Sequence, residues 1–330
     1  MIQKILLTVG LIIVLIVSYL GVAYIYGTDL GDKVVSIRIE AGDSFHQVGE
    51  KLLSEGVVSS RLMLFYPARW RGIDKKLIPG RYDFTGTNSC RSVLDRLERG
   101  DVVVMRVTVF EGAPIWKVAS ILAKQMEIDS AEVIRLNTDS AFLADLKIPC
   151  LEGYLYPDTY FFPWGTDLKK MITDMVTIFH RQTDGIWPDS IPNGLTREEA
   201  VVLASIVEAE AFFDDEMPRI ASVYHNRLKK KMRLDADPTV IYGLGGLDRP
   251  LNRGDLKKNT PYNTYRRRGL PPTPINSPGL AAIKAALKPE ETEYLFFVAD
   301  GSGYHRFSRT NEEHNRARWE IRRNHRQQAQ

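Results

Sequence analysis

Cysteine is nearly absent from the sequence: Cys90 and Cys150 are the only two in 330 residues. Neither falls in a metal-ligand spacing, and two thiols cannot make the disulfide framework of a small stapled fold. In an oxidising compartment they are free to pair, and as buried thiols they are equally well accounted for. A Gly-rich phosphate loop, a metal-ligand cluster and a Ser/His/Asp order are also missing, so no cofactor and no metal is expected. No interleaving of basic and aromatic residues suggests base stacking, which argues against nucleic acid as a partner.

The formal net charge is only +3. Lys and Arg gather near the C-terminus at Arg316, Arg318, Arg322, Arg323 and Arg326. Such a run reads as a solvated helix face, with attraction to an anionic polymer or to lipid head groups as the functional alternative. A hydrophobic fraction of 44% and a charged fraction of 26% exclude both a disordered chain and a multi-span membrane protein. At this length the chain can bury more than one core.

Only one long apolar run is present. From Ile5 to Tyr26 there is no charged residue, and about 20 such residues cross a bilayer as a helix. A transmembrane helix is therefore expected at 5–26. Gly21-Val22-Ala23 leaves a cleaved signal peptide as the competing reading. Lys4 precedes the run, while Asp29 and Asp32 outnumber Lys33 after it. This charge order favours a cytoplasmic N-terminus at 1–4. The expected location is the cytoplasmic (inner) membrane, crossed once, with the rest on the periplasmic, extracytoplasmic side.

A pattern then recurs with an offset of seventy positions: Ile37-Arg38-Ile39-Glu40-Ala41-Gly42 and Val107-Thr108-Val109-Phe110-Glu111-Gly112. Each copy reads as a short strand, a turn and a helix. Phe45, Val48 and Leu52 correspond to Ile115, Val118 and Leu122, one face of a helix in each copy. After the first copy's helix near 44–55 come a turn into a strand at 77–82 and a helix near 89–99. A small α+β module is expected at 34–105. It looks like the LysM-type modules that bind glycan chains, and a spacer role fits the same residues. A larger α+β domain is expected at 106–315, followed by a basic tail at 316–330. The turn at 184–193 reads as a surface loop.

In the larger domain, Thr196-Arg197-Glu198-Glu199 has the form of a capping box. The helix it opens runs through Ser205-Ile206-Val207-Glu208-Ala209-Glu210 with almost no other polar residue. Glu208 shares its face with Ala204, Ser205, Ala211 and Phe212. Such surroundings raise a carboxyl pKa toward neutrality, as a general acid in glycosidic cleavage requires. By periodicity Glu210 is an equally placed rival, with Leu203, Ile206, Val207 and Phe213 on its face. A glutamate at the solvent edge of an amphipathic helix is the plain structural alternative for either.

The block Ser205–Glu210, followed by Ile220-Ala221-Ser222-Val223-Tyr224-His225-Asn226-Arg227-Leu228, resembles the signature of the endolytic murein transglycosylase (MltG, YceG-like) family. So do Glu152–Tyr160, Asp237-Pro238-Thr239-Val240-Ile241-Tyr242-Gly243, Tyr262-Asn263-Thr264-Tyr265 with Gly269-Leu270-Pro271-Pro272, and Pro274–Gly279. His305-Arg306-Phe307-Ser308 and Glu313-His314-Asn315 agree as well. The resemblance covers nearly the whole chain.

It implies a peptidoglycan lytic transglycosylase, a carbon–oxygen lyase acting on the MurNAc-β-1,4-GlcNAc bond and leaving 1,6-anhydro ends. The first glutamate of the pair, Glu208, is the acid/base it points to. Endolytic cutting of nascent glycan strands, ending their elongation, is part of the same implication, with peptidoglycan synthases as the partners such a role would meet. Glu152, Asp237 and Asn263 are candidates for binding sugar hydroxyls or for capping turns, and Tyr242 and Tyr265 for stacking or packing. Asn226 and Arg227 are expected to tie a helix end to the core.

The sequence departs from the family pattern at Asp235, where Gln is common, at Ala209 in place of Lys, and at Thr273 in place of Gly. Asp235, also a substrate-binding candidate, would near Glu208 alter its pKa or support hydrolysis. As a solvated loop residue it would do neither. A muramidase-type hydrolase and a non-catalytic peptidoglycan-binding scaffold are the competing functions.

Overall fold

The computed structural model describes residues 2–328 and divides into two units, 1–106 with 161–167, and 107–160 with 168–330. Helix α1 (Ile2–Ile25) opens the first unit. The expected membrane span at 5–26 falls on α1, several of whose side chains are outside the description, and among the described residues no helix is long and apolar enough to cross a membrane.

Strand β1 (Thr28–Asp29) pairs antiparallel with β4 (Thr87–Asn88), and β2 (Val35–Ile39) with β3 (Gly80–Phe84). The period-2 pattern of β2 and β3 sets Val35 opposite Phe84 and Ile37 opposite Tyr82, all four buried. Helices α2 (Phe45–Ser54) and α4 (Cys90–Arg99) close over this hairpin. Each starts at a serine whose hydroxyl accepts from the third helical amide while that third residue's side chain answers the serine's own N–H, Ser44 with Gln47 and Ser89 with Ser92. Phe45, Val48 and Leu52 point inward from α2, as their spacing predicts.

Helix α3 (Arg61–Arg71) was not anticipated: Pro67 lies inside it, where a proline ordinarily breaks the amide ladder. Ser60 caps its start, and Leu64 and Ala68 hold it to the core, so packing outweighs the one lost hydrogen bond.

The second unit repeats the strand–turn–helix pattern. Strand β5 (Val104–Thr108) pairs with β6 (Thr159–Pro163), and the division into units falls within both strands. Helix α5 (Ile115–Met126) buries Ile115, Val118 and Leu122. Two short helices, α6 (Ser130–Leu136) and α7 (Ser140–Leu146), start at Asp129 and Asp139, whose carboxylates accept from the first-turn amides. The amphipathic α8 (Leu168–Thr183) turns Leu168, Met171, Ile172, Met175 and Phe179 inward.

At the centre of this unit is α9 (Arg197–Glu210), opened by the Thr196–Glu199 capping box. Residues Ala200–Val207 are buried on every side, as an all-round apolar helix requires. Around α9 pack α10 (Met217–Lys229), α11 (Asp237–Gly243) and α12 (Leu280–Leu287). Small residues make the α9–α12 approach close: Ala200 and Ala204 on one side, Ala282, Ala285 and Ala286 on the other. An antiparallel hairpin, β7 (Phe296–Ala299) and β8 (His305–Ser308), leads into α13 (Asn311–Gln328). The expected tail from Arg316 is thus the continuation of a helix. Cys90 and Cys150 are both buried and unpaired.

Candidate active site

Helix α9 delivers two carboxyls to its last turn, where it leaves the core. Carboxylates are least stabilised at this end of a helix, because the carbonyl ends of the peptide dipoles point at them. Two positions apart, they stand about 200° apart around the axis, and each meets a different environment.

Glu208 turns toward the start of α12. Its Oε2 accepts from the amide of Gly279 at 2.9 Å, the residue that caps α12. The segment holding Gly279 is fastened to α9 one turn earlier: Ile275 N donates to Ser205 Oγ at 3.0 Å, and Asn276 Nδ2 to the Ser205 carbonyl at 2.8 Å. The Gly112 amide bonds the Ser277 carbonyl on the other side. Burial raises the Glu208 pKa from 4.5 to about 7; the Gly279 amide opposes the shift, and the charges of Glu111 and Asp214 add to it.

Glu210 turns the other way. The phenol of Tyr224, on α10, donates to its Oε1 at 2.8 Å. Burial raises its pKa to about 7 as well; the Tyr224 hydrogen bond opposes this, Asp237 adds to it, and His305 and Arg227 oppose it. Beside Glu210 opens a polar cavity of about 430 Å³, also lined by Tyr224, Arg227, Asp237, Tyr265 and His314. These six residues come from five separate sequence blocks, all quoted above for their family pattern. The Tyr265 hydroxyl donates to Asp237 Oδ1 at 2.6 Å. His314 stacks on Phe296 with ring centroids 5.4 Å apart, and its Nδ1 is buried with no hydrogen-bond partner among the described residues. Its pKa is lowered by burial, with Arg318 and Arg227 acting in the same direction, so it faces the cavity as a neutral imidazole.

Asp235 lines this same cavity. The carboxyls whose charge is felt at Glu208 are those of Glu111 and Asp214. The Asp235 backbone is left-handed, with φ of +48°, a conformation aspartate tolerates better than most residues. Its carboxylate lies 3.4 Å from Arg227 and 3.8 Å from Arg233, with 38% of the side chain exposed. Burial raises its pKa against the pull of both arginines.

The other sequence candidates make hydrogen bonds and ring contacts within the fold. Glu152 is 1% exposed and accepts from the Ile115 amide at 3.1 Å and from Tyr242 Oη at 2.8 Å, so it caps α5 from across the fold. Tyr242 also packs on Trp116, centroids 5.0 Å apart. Asn263 is buried and donates to the carbonyls of Leu256 and Lys258. Arg227 and Asn226 tie the end of α10 to the 292–295 segment through the carbonyls of Leu295, Thr292 and Tyr294. Tyr224 and His314 were not singled out from sequence. Both sit inside quoted motif blocks, and that was the available signal.

The model of the YceG-like family matches residues 37–320. The chain belongs to the YceG-like family. An endolytic murein transglycosylase of Bacillus subtilis is 31% identical over 325 residues, covering 91% of this chain and 90% of that protein. One of Streptococcus pneumoniae is 26% identical, covering 91% of this chain and 61% of that longer protein. Among solved structures, a YceG-like protein of Listeria monocytogenes superposes with a TM-score of 0.57 at 29% identity, covering 87% of this chain and 99% of that one. The mixed α+β architecture expected from the sequence is the one observed.

Proposed function

We propose that this protein is an endolytic peptidoglycan lytic transglycosylase that cuts the MurNAc-β-1,4-GlcNAc bond of nascent strands, with Glu208 as its acid and base. The observation that supports the choice of residue is the meeting of the Pro274–Gly279 block with Glu208 at the exit of α9, where the Gly279 amide donates to its carboxyl at 2.9 Å and burial raises its pKa to about 7. The names of the relatives support the reaction class. Glu210 is the second candidate; its raised pKa suits an acid equally, but its carboxyl is engaged by the buried Tyr224 phenol.

With a pKa of about 7, Glu208 is protonated in much of the protein near neutrality. Its proton passes to the glycosidic oxygen of the leaving GlcNAc as positive charge grows at C1 of MurNAc. The carboxylate left behind takes the proton of the MurNAc C6 hydroxyl, and O6 bonds to C1. The 1,6-anhydro end forms, no water is consumed, and Glu208 is protonated again. The Gly279 amide holds the carboxyl in place through both steps.

A hydrolytic second reading would need a second carboxylate near the acid: the charges of Glu111 and Asp214 are felt at Glu208, and Asp235 lines the cavity beside Glu210. A second carboxylate can activate a water or attack the sugar directly, and either route would end in a reducing MurNAc. Anchoring by a helix at 5–26, with the rest outside the cytoplasmic membrane, completes the proposal. The charge-free apolar run supports it. The LysM-like reading of the first unit, with glycan binding or spacing as its role, rests on its strand–helix pattern.

The test is mass spectrometry of the products made from uncrosslinked glycan strands by the full chain in detergent, compared with Glu210→Gln, Glu208→Gln and Asp235→Gln. Anhydro ends lost only in Glu208→Gln are expected. Reducing ends that become anhydro ends in Asp235→Gln would establish the second reading. Loss of cleavage in Glu210→Gln with Glu208→Gln still active would refute the choice of acid.

A further inference from the structure

Helix α3 carries an apolar stripe that the core does not use. Leu64 and Ala68 turn inward, whereas Leu62, Tyr66 and Trp70 are 56%, 69% and 90% exposed. Residues four apart lie on one side of a helix, so these three form a ridge along its outer face. Single exposed apolar residues are common; a row of three large ones on one helix marks a surface that meets a partner. The charge around the ridge has one sign. Helix α3 contains no acidic residue, Arg69 adjoins the ridge, and Lys75 and Lys76 follow it with Asp74 as the one acid among them. Arg69, Lys75 and Lys76 are all exposed.

The way α3 is mounted says what that partner is. Only Tyr26 and Gly27 separate α1 from β1, and a Cβ at Gly27 would run into the Asn88 carbonyl group and the Ser89 nitrogen. Just beyond, the Leu30 amide donates to the Gly86 carbonyl and the Gly86 amide to the Gly31 carbonyl, both at 2.9 Å. The rest of the first unit is thus joined to the end of α1 without a flexible linker. Helix α1 packs on α3 and α4, and its Tyr24 lies against the core of the unit. Arg71, at the end of α3, donates from Nη1 to Tyr24 Oη at 3.4 Å.

Tyr24 belongs to the charge-free apolar run of 5–26 and stands near its outer end. Where that run crosses a bilayer, Tyr24 and the Arg71 guanidinium it meets are at the boundary of lipid and water, and Trp70 is the residue next to Arg71. Tryptophan and tyrosine concentrate at this boundary, where an amphipathic ring sits at the level of the head groups. Arginine and lysine keep their charged ends among the head groups while their stems lie on apolar surface. A ridge of Leu, Tyr and Trp bordered by basic residues is the composition of a helix that lies in the interface and is drawn to anionic lipid.

We propose that the outer face of α3, formed by Leu62, Tyr66 and Trp70, docks on the anionic lipid surface beside the membrane span, so that the first unit rests on the bilayer. The proposal rests on the anchoring at 5–26 put forward above. It is independent of which carboxyl performs the cleavage.

The experiment reconstitutes the full chain in vesicles of phosphatidylethanolamine and phosphatidylglycerol, with or without bromine on the acyl chains. Tryptophan fluorescence is compared between the wild type and Trp70→Phe, a change at a side chain 90% exposed that leaves the core as it is. Flotation of the vesicles after an alkaline wash reports the anchor separately. Brominated lipid is expected to quench the wild type, and Trp70→Phe to lose most of that quenching. A chain that floats with the vesicles but shows the same quenching with and without Trp70, or none in either, overturns the docking alone. A Trp70 emission blind to brominated lipid and altered by added glycan strands gives the face to the wall polymer and overturns lipid docking. A chain that does not float overturns the anchor, and the docking with it.

Discussion

The two carboxyls of α9 can be told apart by perturbing their neighbours and leaving both in place. Tyr224 donates to Glu210 and thereby favours its charged form. Tyr224→Phe removes that donor, so the Glu210 pKa must rise. A hydrogen bond to a charged group is worth about 1.5–3 kcal/mol, and one pKa unit is about 1.4 kcal/mol. Because Glu210 borders an open cavity, water recovers part of the lost bond, and the lower end applies: an upward shift of about one unit from a pKa near 7. For a general acid, activity falls as the proton is lost, so an alkaline limb of kcat/KM set by Glu210 would move up with it. Glu111→Gln acts on the other residue. Its negative charge raises the Glu208 pKa, so its removal lowers that pKa and would draw an alkaline limb set by Glu208 downward. The assay is release of anhydro-ended product between pH 5 and 9. If Glu111→Gln leaves the limb in place while Tyr224→Phe raises it, Glu210 is the acid and the assignment made here is refuted.

Three further outcomes follow from the scaffold. Gly153 has φ of +85°, and a Cβ there would sit 2.5 Å from the ring of Pro274 and 3.3 Å from Val201; Gly153→Ala should cost about 1–3 kcal/mol in urea unfolding, and a loss below about 0.5 kcal/mol would contradict the packing. Burial raises the Glu152 pKa from 4.5 to about 7, so the folded state binds the extra proton and stability from this group is full below pH 4.5, declines as pH rises, and is lost above about 7. That change amounts to about 3 kcal/mol, and Glu152→Gln should flatten the pH dependence of the unfolding free energy over this window; an unchanged slope would show that the carboxyl titrates normally. The Cys150 thiol is pushed up to about 12 and that of Cys90 is also raised, burial being the main cause of both, so neither should react with a thiol-specific chromogen at pH 8 until the chain is unfolded.

Local chemistry was readable from sequence wherever one residue decides it. The capping box at Thr196, the serine that starts α4 and the inward faces of α2 and α5 all follow from side-chain type and spacing. Helix α3 was hidden because Pro67 argues against it locally, while its support comes from a core assembled from distant segments. The choice between Glu208 and Glu210 was hidden for a different reason. Apolar neighbours surround both in sequence, and only tertiary structure brings the Gly279 amide to one and Tyr224 with its cavity to the other. The same limit applies to Glu152, whose partners lie 37 and 90 positions away.

Residues 161–167 count with the first unit although the second unit's chain surrounds them. The smaller body is therefore written in two pieces of sequence, and no single cut separates the halves of the protein. A fragment starting at Val107 would keep the outer part of β6, with the apolar Phe161 and Phe162, and would lack the stretch of β5 before Val107 that belongs with it. Such a fragment exposes an unsatisfied strand edge and invites self-association. Exchange of the module between relatives, in the laboratory or in evolution, must move both pieces together. This connectivity makes the module hard to lose by simple truncation.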